Sequence, residues 1–397
     1  MKIINILALN ATMDATFAFL RTLGRRKDVE LFFADSVFFA PMKGSKGCAG
    51  YFRTSKVNSD NYIPEIINII KQKKIDVVLP IGEYEVKKIA QNRKIFDEMG
   101  VSIPISSWEN ISLATDKLRL QDHAEKNNIR YPKTFILSAE NLENVYGCNF
   151  PVVLKQRSGT GQRGMKFFYN VSDFKLEVNR ETIFKFEKSI IQEYVPGWDH
   201  KYMYTVGLIF DENGKCLTNV PLKKIRAQKF TGGTCTASWA VDEEDVKDFA
   251  YKVASSFEKW TGIINVELKR DPRSGELVLI EINPRPWGAM YGTIMAGVNF
   301  PEIWLNVALG NNSYSRISYN SFKPCAFFAR DMRLFFDIFM NLLKKGKQRE
   351  ALSVLKTFKY PYLSNNRDYA EYPKTADLTL RDMKPLFYNI FRQLYKN

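Results

Sequence analysis

Ile280-Glu281-Ile282-Asn283-Pro284-Arg285 decides how this chain folds and what it can hold. Residues 278–282 form an apolar run that reads as a buried strand. Residues i and i+2 of a strand project from one face, so Glu281 and Asn283 point together. Upstream, Asp271-Pro-Arg-Ser-Gly275 has the composition of a turn. Residues 266–269 and 277–280 are therefore expected to pair as a hairpin that brings Glu267 to the same end. Two carboxylates and an amide oxygen on one face are hard donors suited to Mg²⁺. Arg285, just past the strand, is placed to reach a phosphate bridging such ions. A surface hairpin of charged residues is the plainer alternative, and the rest of the chain weighs against it.

At 397 residues the chain has room for two or three domains, and its apolar and charged fractions of 45% and 25% are those of a globular protein. The five cysteines (Cys48, Cys148, Cys216, Cys235, Cys325) are scattered and include no CxxC. They read as reduced thiols of a cytosolic protein, not as a disulfide frame or zinc site. With His123 and His200 the only histidines, a histidine-based metal site or triad is not expected. Asn5, Asn10 and Asp14 interrupt the apolar start, which reads as a strand and helix in place of a signal peptide. No run of 18 apolar residues offers a membrane span. The formal charge of +15 is uneven, the last 87 residues carrying 16 Lys/Arg against 7 Asp/Glu. Such a tail suits an anionic partner or simply a solvated face. No zinc finger, RNA-binding signature or groove-shaped basic helix accompanies it, so nucleic acid is not expected as a partner.

Apolar runs at residues 3–9, 29–34, 76–80 and 101–105 alternate with helical patterns at 16–25, 63–73 and 83–99. This order predicts a doubly wound parallel sheet over the first 105 residues. Ligands of such sheets sit beyond the carboxyl ends of the strands, where Asn10, Ala11 and Ile81-Gly82-Glu83 stand, although turn chemistry explains each equally well. Residues 107–117 read as a joint, with Thr115-Asp116 capping a helix over 117–127. Strands follow at 150–156, 190–195, 202–210 and 217–221, then a helix over 242–260 and the hairpin.

Ser158-Gly-Thr-Gly-Gln-Arg-Gly-Met165 follows a strand that ends in Lys155. Its glycines let backbone amides approach an anion, and Arg163 adds charge. It is neither a Walker A loop nor a dinucleotide fingerprint. A lysine ending an apolar strand is costly to bury without an anionic partner. Gln192-Glu193-Tyr194-Val195 precedes a Pro-Gly break and has a backbone able to meet an adenine edge, with Asp199 or His200 near a ribose.

The order of these features resembles the ATP-grasp superfamily, in particular members similar to the large subunit of carbamoyl-phosphate synthetase and to carboxylate–amine ligases. The order is Lys117, Lys155 with its glycine loop, Gln-Glu-Tyr-Val-Pro-Gly, Glu267, then Glu281-x-Asn283-x-Arg285. The resemblance covers roughly residues 1–309. It implies an α/β and α+β chain with a Rossmann-like pre-ATP-grasp domain (1–115), a small lobe with a lid loop (116–195), a large lobe with the metal site (196–310) and a helical basic extension (311–397). By the same resemblance, Lys117 and Lys155 contact ATP, while Ser158, Gly159, Gly161, Arg163 and Gly164 belong to the lid. Glu193 with the Tyr194 and Val195 backbone holds adenine, and Asp199 or His200 the ribose. Glu267, Glu281 and Asn283 hold two Mg²⁺, with Mn²⁺ as a substitute. Arg285, Arg226 and Lys155 serve the transferred phosphate, and Lys224-Ile-Arg226 with Thr231-Gly-Gly-Thr234 faces an acyl phosphate. The lid departs from the usual all-glycine run, and a histidine at the ribose is unusual.

The implied activity is ADP-forming ligation of a carboxylate to an amine, through an acyl phosphate. The resemblance extends by analogy to enzymes of bacterial cell-surface polysaccharides and peptides. Catalysis by positioning and charge neutralisation needs no nucleophile motif. The alternatives are a phosphorylating enzyme like carbamoyl-phosphate synthase, or a non-catalytic ATP sensor or scaffold. Relatives suggest a homodimer. In the tail, residues 325–345 read as one apolar helix ending in lysines, either docked on its own protein or lying at the inner membrane face. A further amphipathic helix is expected over 380–395.

Overall fold

The computed structural model describes residues 2–159, 164–197, 202–229, 232–311 and 324–359, with single residues at 319, 321, 375, 382 and 384. The expected helix over 380–395 lies outside them. The chain begins with β1 (Ile4–Leu9), α1 (Ala15–Arg21), β2 (Val29–Asp35), β3 (Gly50–Arg53), α2 (Tyr62–Lys73) and β4 (Val77–Pro80). The strands form a wholly parallel sheet in the order β3-β2-β1-β4. Ile6–Leu9 are fully buried, as the central strand of a covered sheet requires. Ile63, Ile66, Ile69 and Ile70 recur at helical spacing and form the buried face of α2.

The expectation for this sheet holds in kind but differs in detail. β3 escapes an apolar-run reading because its four residues are partly exposed at the sheet edge. Residues 101–105 contribute one parallel bridge, Ser102 to Val77, and no regular strand; Pro104 has no N–H to extend a ladder. The long helix expected over 83–99 divides at Asn92 into α3 (Glu83–Gln91) and α4 (Arg93–Glu98). The expected joint is helical, with α5 (Trp108–Thr115) followed directly by α6 (Lys117–Lys126). The Ser107 side chain caps α5 through Asn110 N–H, and Asp116 caps α6 through Leu118 and Arg119 N–H.

A second, antiparallel sheet gathers β5 (Thr134–Ile136), β6 (Val152–Gln156), β7 (Lys166–Phe168) and β8 (Ser189–Glu193) in the order β5-β8-β6-β7. Helices α7 (Leu142–Tyr146) and α8 (Val171–Glu177) cover it, with Leu142, Phe168 and Phe174 in its core.

The largest sheet has six strands. They are β9 (Met203–Phe210), β10 (Cys216–Lys229), β11 (Gly232–Ala240), β12 (Gly262–Arg270), β13 (Leu277–Asn283) and β14 (Pro324–Ala326), ordered β13-β12-β9-β10-β11-β14. Between β11 and β12, α9 (Glu244–Ser255) packs Val246, Ala250 and Val253 on Val206, Leu208 and Ile264. The opposite face, through Ile209, Leu222 and Ile263, shares one apolar core with α10 (Tyr291–Met295), α11 (Phe300–Ala308) and the parallel sheet. At that junction Trp304 Nε1 donates to the Pro104 carbonyl at 2.6 Å. Gly262, at φ +79°, passes so close that a Cβ would lie 2.0 Å from the same oxygen.

The tail departs from the single helix expected over 325–345. Pro324–Ala326 add an edge strand antiparallel to β11, and only then does α12 (Phe328–Lys344) begin, followed by α13 (Gln348–Lys359). The first turn of α12 is docked on the protein's own body through Arg330 and Asp331, both buried. Further along, Phe336, Met340 and Leu343 are exposed. No helix among the described residues is long and apolar enough to cross a membrane.

Candidate functional site

The β12–β13 register sets Glu267 directly opposite Glu281, and Asn265 opposite Asn283. The hairpin pairs as its sequence suggests, except for a bulge after Glu267 that places Leu268 opposite Leu279. Like charges facing each other across a strand pair are unfavourable unless countercharges intervene. Here two lysines do so. Lys117 Nζ lies 3.2 Å from Glu281 Oε1, and Lys224 Nζ lies 3.1 Å from Glu267 Oε2. The lysine side chains are 9% and 11% exposed and the carboxylates 29% and 27%, so the acidic half of each pair is the half solvent can reach. Despite burial, Lys117 and then Lys155 hold the Glu281 carboxyl below its ordinary range.

Lys117 opens α6 and owes its place to a contact the sequence does not announce. The Arg157 guanidinium grips Asp116, the cap of that helix, at 2.8–3.0 Å, and the Lys117 N–H donates to the Arg157 carbonyl. Arg157 therefore ties the end of β6 and the start of the glycine loop to α6. Of that loop, Ser158 is exposed, while Gly159 and Gly164 take φ +156° and +69°. Gly161 and Arg163 lie outside the described residues.

Lys155, near the end of β6, is crowded by like charge. Burial, and then the Lys117 ammonium, pull it down to about 7 against partial compensation from Glu281, and Lys269 lowers it further. Lys269 on β12 is itself lowered to about 8 by burial and by Lys224. Its Nζ donates to the Val195 carbonyl at 2.7 Å, just past β8. The Tyr194 N–H, part of the backbone expected to meet adenine, is engaged by the Pro151 carbonyl at 3.2 Å. Glu193 pairs with Arg273 at 3.4 Å. Asp199, His200 and Thr231 lie outside the described residues, and Gly232–Thr234 run within β11.

Asn283 is oriented by a buried polar chain. Its Nδ2 donates to Asn265 Oδ1, and Asn265 Nδ2 donates to Thr205 Oγ1 at 2.7 Å. That leaves Asn283 Oδ1 to accept from Arg285 Nη2 at 2.8 Å. The Arg285 Nε is buried without a hydrogen-bond partner, 3.9 Å from Glu83. Such an orphan is satisfied by an incoming acceptor. Trp287 anchors this segment by lying over Gly207 of β9, where a Cβ would fall 2.0 Å from its ring. Arg226 is not turned toward the hairpin carboxylates: it pairs with Asp331 of α12.

Glu83, at the carboxyl end of β4, joins Thr115, Lys117, Gly159, Glu281 and Ile282 in lining one cleft. The parallel sheet thus contributes directly to the site. Asn10 and Ala11 do turn chemistry instead, Asn10 Oδ1 accepting from the Thr12 and Met13 N–H groups and the Ala11 N–H donating to Asp35. Sequence reasoning missed Arg157 and Lys269; the only signal for Arg157 was its position between Lys155 and the glycine loop. Lys117, Lys155, Lys224 and Lys269 outnumber the two carboxylates they surround, so the residues fit a polyanion together with a hard cation held by oxygen.

Residues 185–322 match the family described as ATP-grasp in the biosynthetic pathway with Ter operon, and residues 6–104 match the PylC-like N-terminal domain. The chain is 25% identical over 230 residues to a carbamoyl phosphate synthase large chain of Thermotoga petrophila, covering 55% of this chain and 21% of that protein. It thus spans about a fifth of the curated relative. It is also 23% identical over 286 residues to a D-aspartate ligase of Enterococcus faecium, covering 66% of each. In fold it resembles N5-carboxyaminoimidazole synthetase from Staphylococcus aureus, with a TM-score of 0.64, 15% identity and 82% of each chain covered. The chain carries an ATP-grasp domain behind a PylC-like N-terminal domain.

Proposed function

We propose that this protein is an ATP-dependent, ADP-forming ligase that activates a carboxylate as an acyl phosphate and couples it to an amine. The observation that carries the reading is the facing pair Glu267 and Glu281, each held by a lysine, inside an ATP-grasp sheet. Glu267, Glu281 and Asn283 would hold Mg²⁺, two ions being the expected number and Mn²⁺ a substitute. When bound, the metal neutralises phosphate charge and aligns the transferred group. Replacing the lysines at the carboxylates frees Lys117 and Lys224 for phosphate oxygens. Lys155 takes up a proton as it meets the triphosphate, and Arg285 offers its unsatisfied Nε to the phosphate in transfer. Glu193 and the Tyr194 and Val195 backbone would hold adenine, with the 158–164 loop as the lid over the phosphates.

The substrate carboxylate attacks the γ-phosphorus as the bond to ADP breaks. The amine nitrogen then attacks the acyl carbon, the carbon–oxygen bond to phosphate breaks, and the nitrogen gives up a proton. The likeness to a D-aspartate ligase favours an amino-acid carboxylate. The likeness to carbamoyl phosphate synthase favours, as a second reading, release of a phosphorylated small molecule. We assign the segments 1–115, 116–195, 196–310 and 311–397 to the pre-ATP-grasp domain, the small lobe, the large lobe and the extension of a cytoplasmic homodimer with reduced thiols.

The test is Mg²⁺-dependent ADP release with hydroxylamine as the amine, against pooled amino acids, peptidoglycan precursors and sugar acids. A hydroxamate supports the ligase, and its mass names the acid. ADP without hydroxamate supports the second reading. ATP binding with no ADP from any pool overturns both.

A further inference from the structure

We propose that Glu83, which the parallel-sheet domain sends into the cleft, is the base that receives the proton of the amine substrate. In the ligase reading, on which this rests, the attacking nitrogen gives up a proton, and a group within reach must accept it. Glu83 opens α3 directly after β4, at the end of the parallel sheet where doubly wound folds take their ligands. Its side chain is 4% exposed, yet it lines the same cleft as Lys117, Gly159 and Glu281. An amine that reaches it has therefore left bulk water. Lys87, one helical turn on, donates to Oε1 at 2.8 Å and fixes the carboxylate. Oε2 lies 3.9 Å from Arg285 Nε, too far for a hydrogen bond, and no hydrogen bond among the described residues ends on it. Because Arg285 serves the transferred phosphate in that reading, this oxygen stands beside the group the amine must displace.

The other groups near the cleft are committed elsewhere. Glu267 and Glu281 are the carboxylates assigned to the metal, and no three acidic, cysteine or histidine side chains gather into one metal-holding group among the described residues. Glu83 is thus not a third ligand. Glu85, the second glutamate of α3, turns inward: Asn10 Nδ2 donates to its Oε1 at 3.2 Å, and its Oε2 would lie 2.0 Å from a Cβ on Gly82. Both oxygens of Asp35 accept from backbone N–H groups, those of Ala11 and Val37. Protonated lysines and arginine offer donors only. Lys155, lowered to about 7 in the free protein, takes up its proton on meeting the triphosphate and then has no lone pair to lend. In the step itself the nitrogen–carbon bond forms and the N–H proton passes to Glu83 Oε2, its bonding electrons staying on nitrogen. Phosphate departs with the electron pair of the broken carbon–oxygen bond.

The experiment separates the two halves of the reaction in the full chain, using the acid selected from the amino-acid pool. The first half is read without amine, as the acid-dependent burst of ADP in rapid quench. The second is read as hydroxamate formation with hydroxylamine. Glu83→Gln should lower the hydroxamate kcat about 10²- to 10³-fold and leave the burst rate within about threefold. Glu83→Asp keeps the charge but retracts it by one methylene, and should recover part of the loss. A hydroxamate kcat equal to wild type in Glu83→Gln would overturn the proposal, and so would equal losses of burst and hydroxamate, which mark a structural role. Should Glu83→Gln not fold, Glu83→Asp decides by the same split. Each of these outcomes leaves the ligase reading intact, whereas a wild-type protein that binds ATP and forms no ADP removes both.

Discussion

The two lysine–glutamate pairs at the hairpin and the two arginine–aspartate pairs anchoring α12 are sealed to different degrees. At the hairpin the carboxylates of Glu281 and Glu267 are 29% and 27% exposed. In the clasp at α12, Asp331 facing Arg226 is 0% and Asp14 facing Arg330 6% exposed. A carboxylate that water reaches can trade its lysine for a cation at small cost, whereas a sealed one keeps its partner because separation strands a buried charge. Similar pairs thus do opposite work, one exchangeable and one permanent.

Removing Glu281 is the hardest blow to this contrast. Glu281→Ala should lower Mg²⁺-dependent ADP release by at least about 10³-fold while the chain stays folded, by circular dichroism and melting. Undiminished turnover would erase the distinction between the two kinds of pair. On the sealed side, Arg330→Met leaves the Asp14 carboxylate buried and unpaired, and urea unfolding should show a loss of about 3–5 kcal/mol. A loss under about 1 kcal/mol would mean that solvent reaches the clasp after all. Gly207→Ala asks whether the cleft also rests on sealed packing. The added methyl meets the Trp287 ring, so stability should fall by about 1–3 kcal/mol and KM for ATP should rise as the Asn283–Arg285 segment shifts.

The smallest effect is a matter of pH. Lys155 in the free protein sits at about 7, below its ordinary 10.5. Phosphate favours the charged form, so below pH 7 the proton is already present and ATP affinity is flat. Above pH 7 binding must take up a proton, and the Kd for ATP should rise by up to about tenfold per pH unit. Calorimetry in two buffers of different ionisation heat checks this at pH 8; no proton uptake there would mean that Lys155 is not at the phosphates. For folding the sign is opposite in sense. The unfolded chain binds the extra proton between about pH 7 and 10.5, so this lysine disfavours the free folded state fully below that window and progressively less across it.

Much of this was legible before any coordinates. The turn Asp271–Gly275 and the alternation around Glu281 are local, so the hairpin and its facing carboxylates follow from spacing alone. The four apolar runs announce the parallel sheet for the same reason, while β3 hides because an edge strand buries too little to leave an apolar signature. The contacts of Arg157, Lys269 and Asp331 were invisible because an isolated charged residue looks alike whether it faces water or a partner 41 to 105 positions away. The tail illustrates the limit. Its helical period was plain, but the start at Phe328 and the clasp through Arg330 and Asp331 depend on β11 and α1 being where they are.

By itself, then, the sequence determined the kinds of element and the hairpin with its two carboxylates, because periodicity and turn chemistry are encoded within a few neighbouring residues. Only the tertiary structure decided which lysine meets which carboxylate, that Glu83 at the start of α3 enters the cleft, and that Arg226 pairs with Asp331 of the extension. Those outcomes depend on burial and on distances between segments far apart in the chain, and the free energy of a charge is set by what surrounds it once the chain has folded.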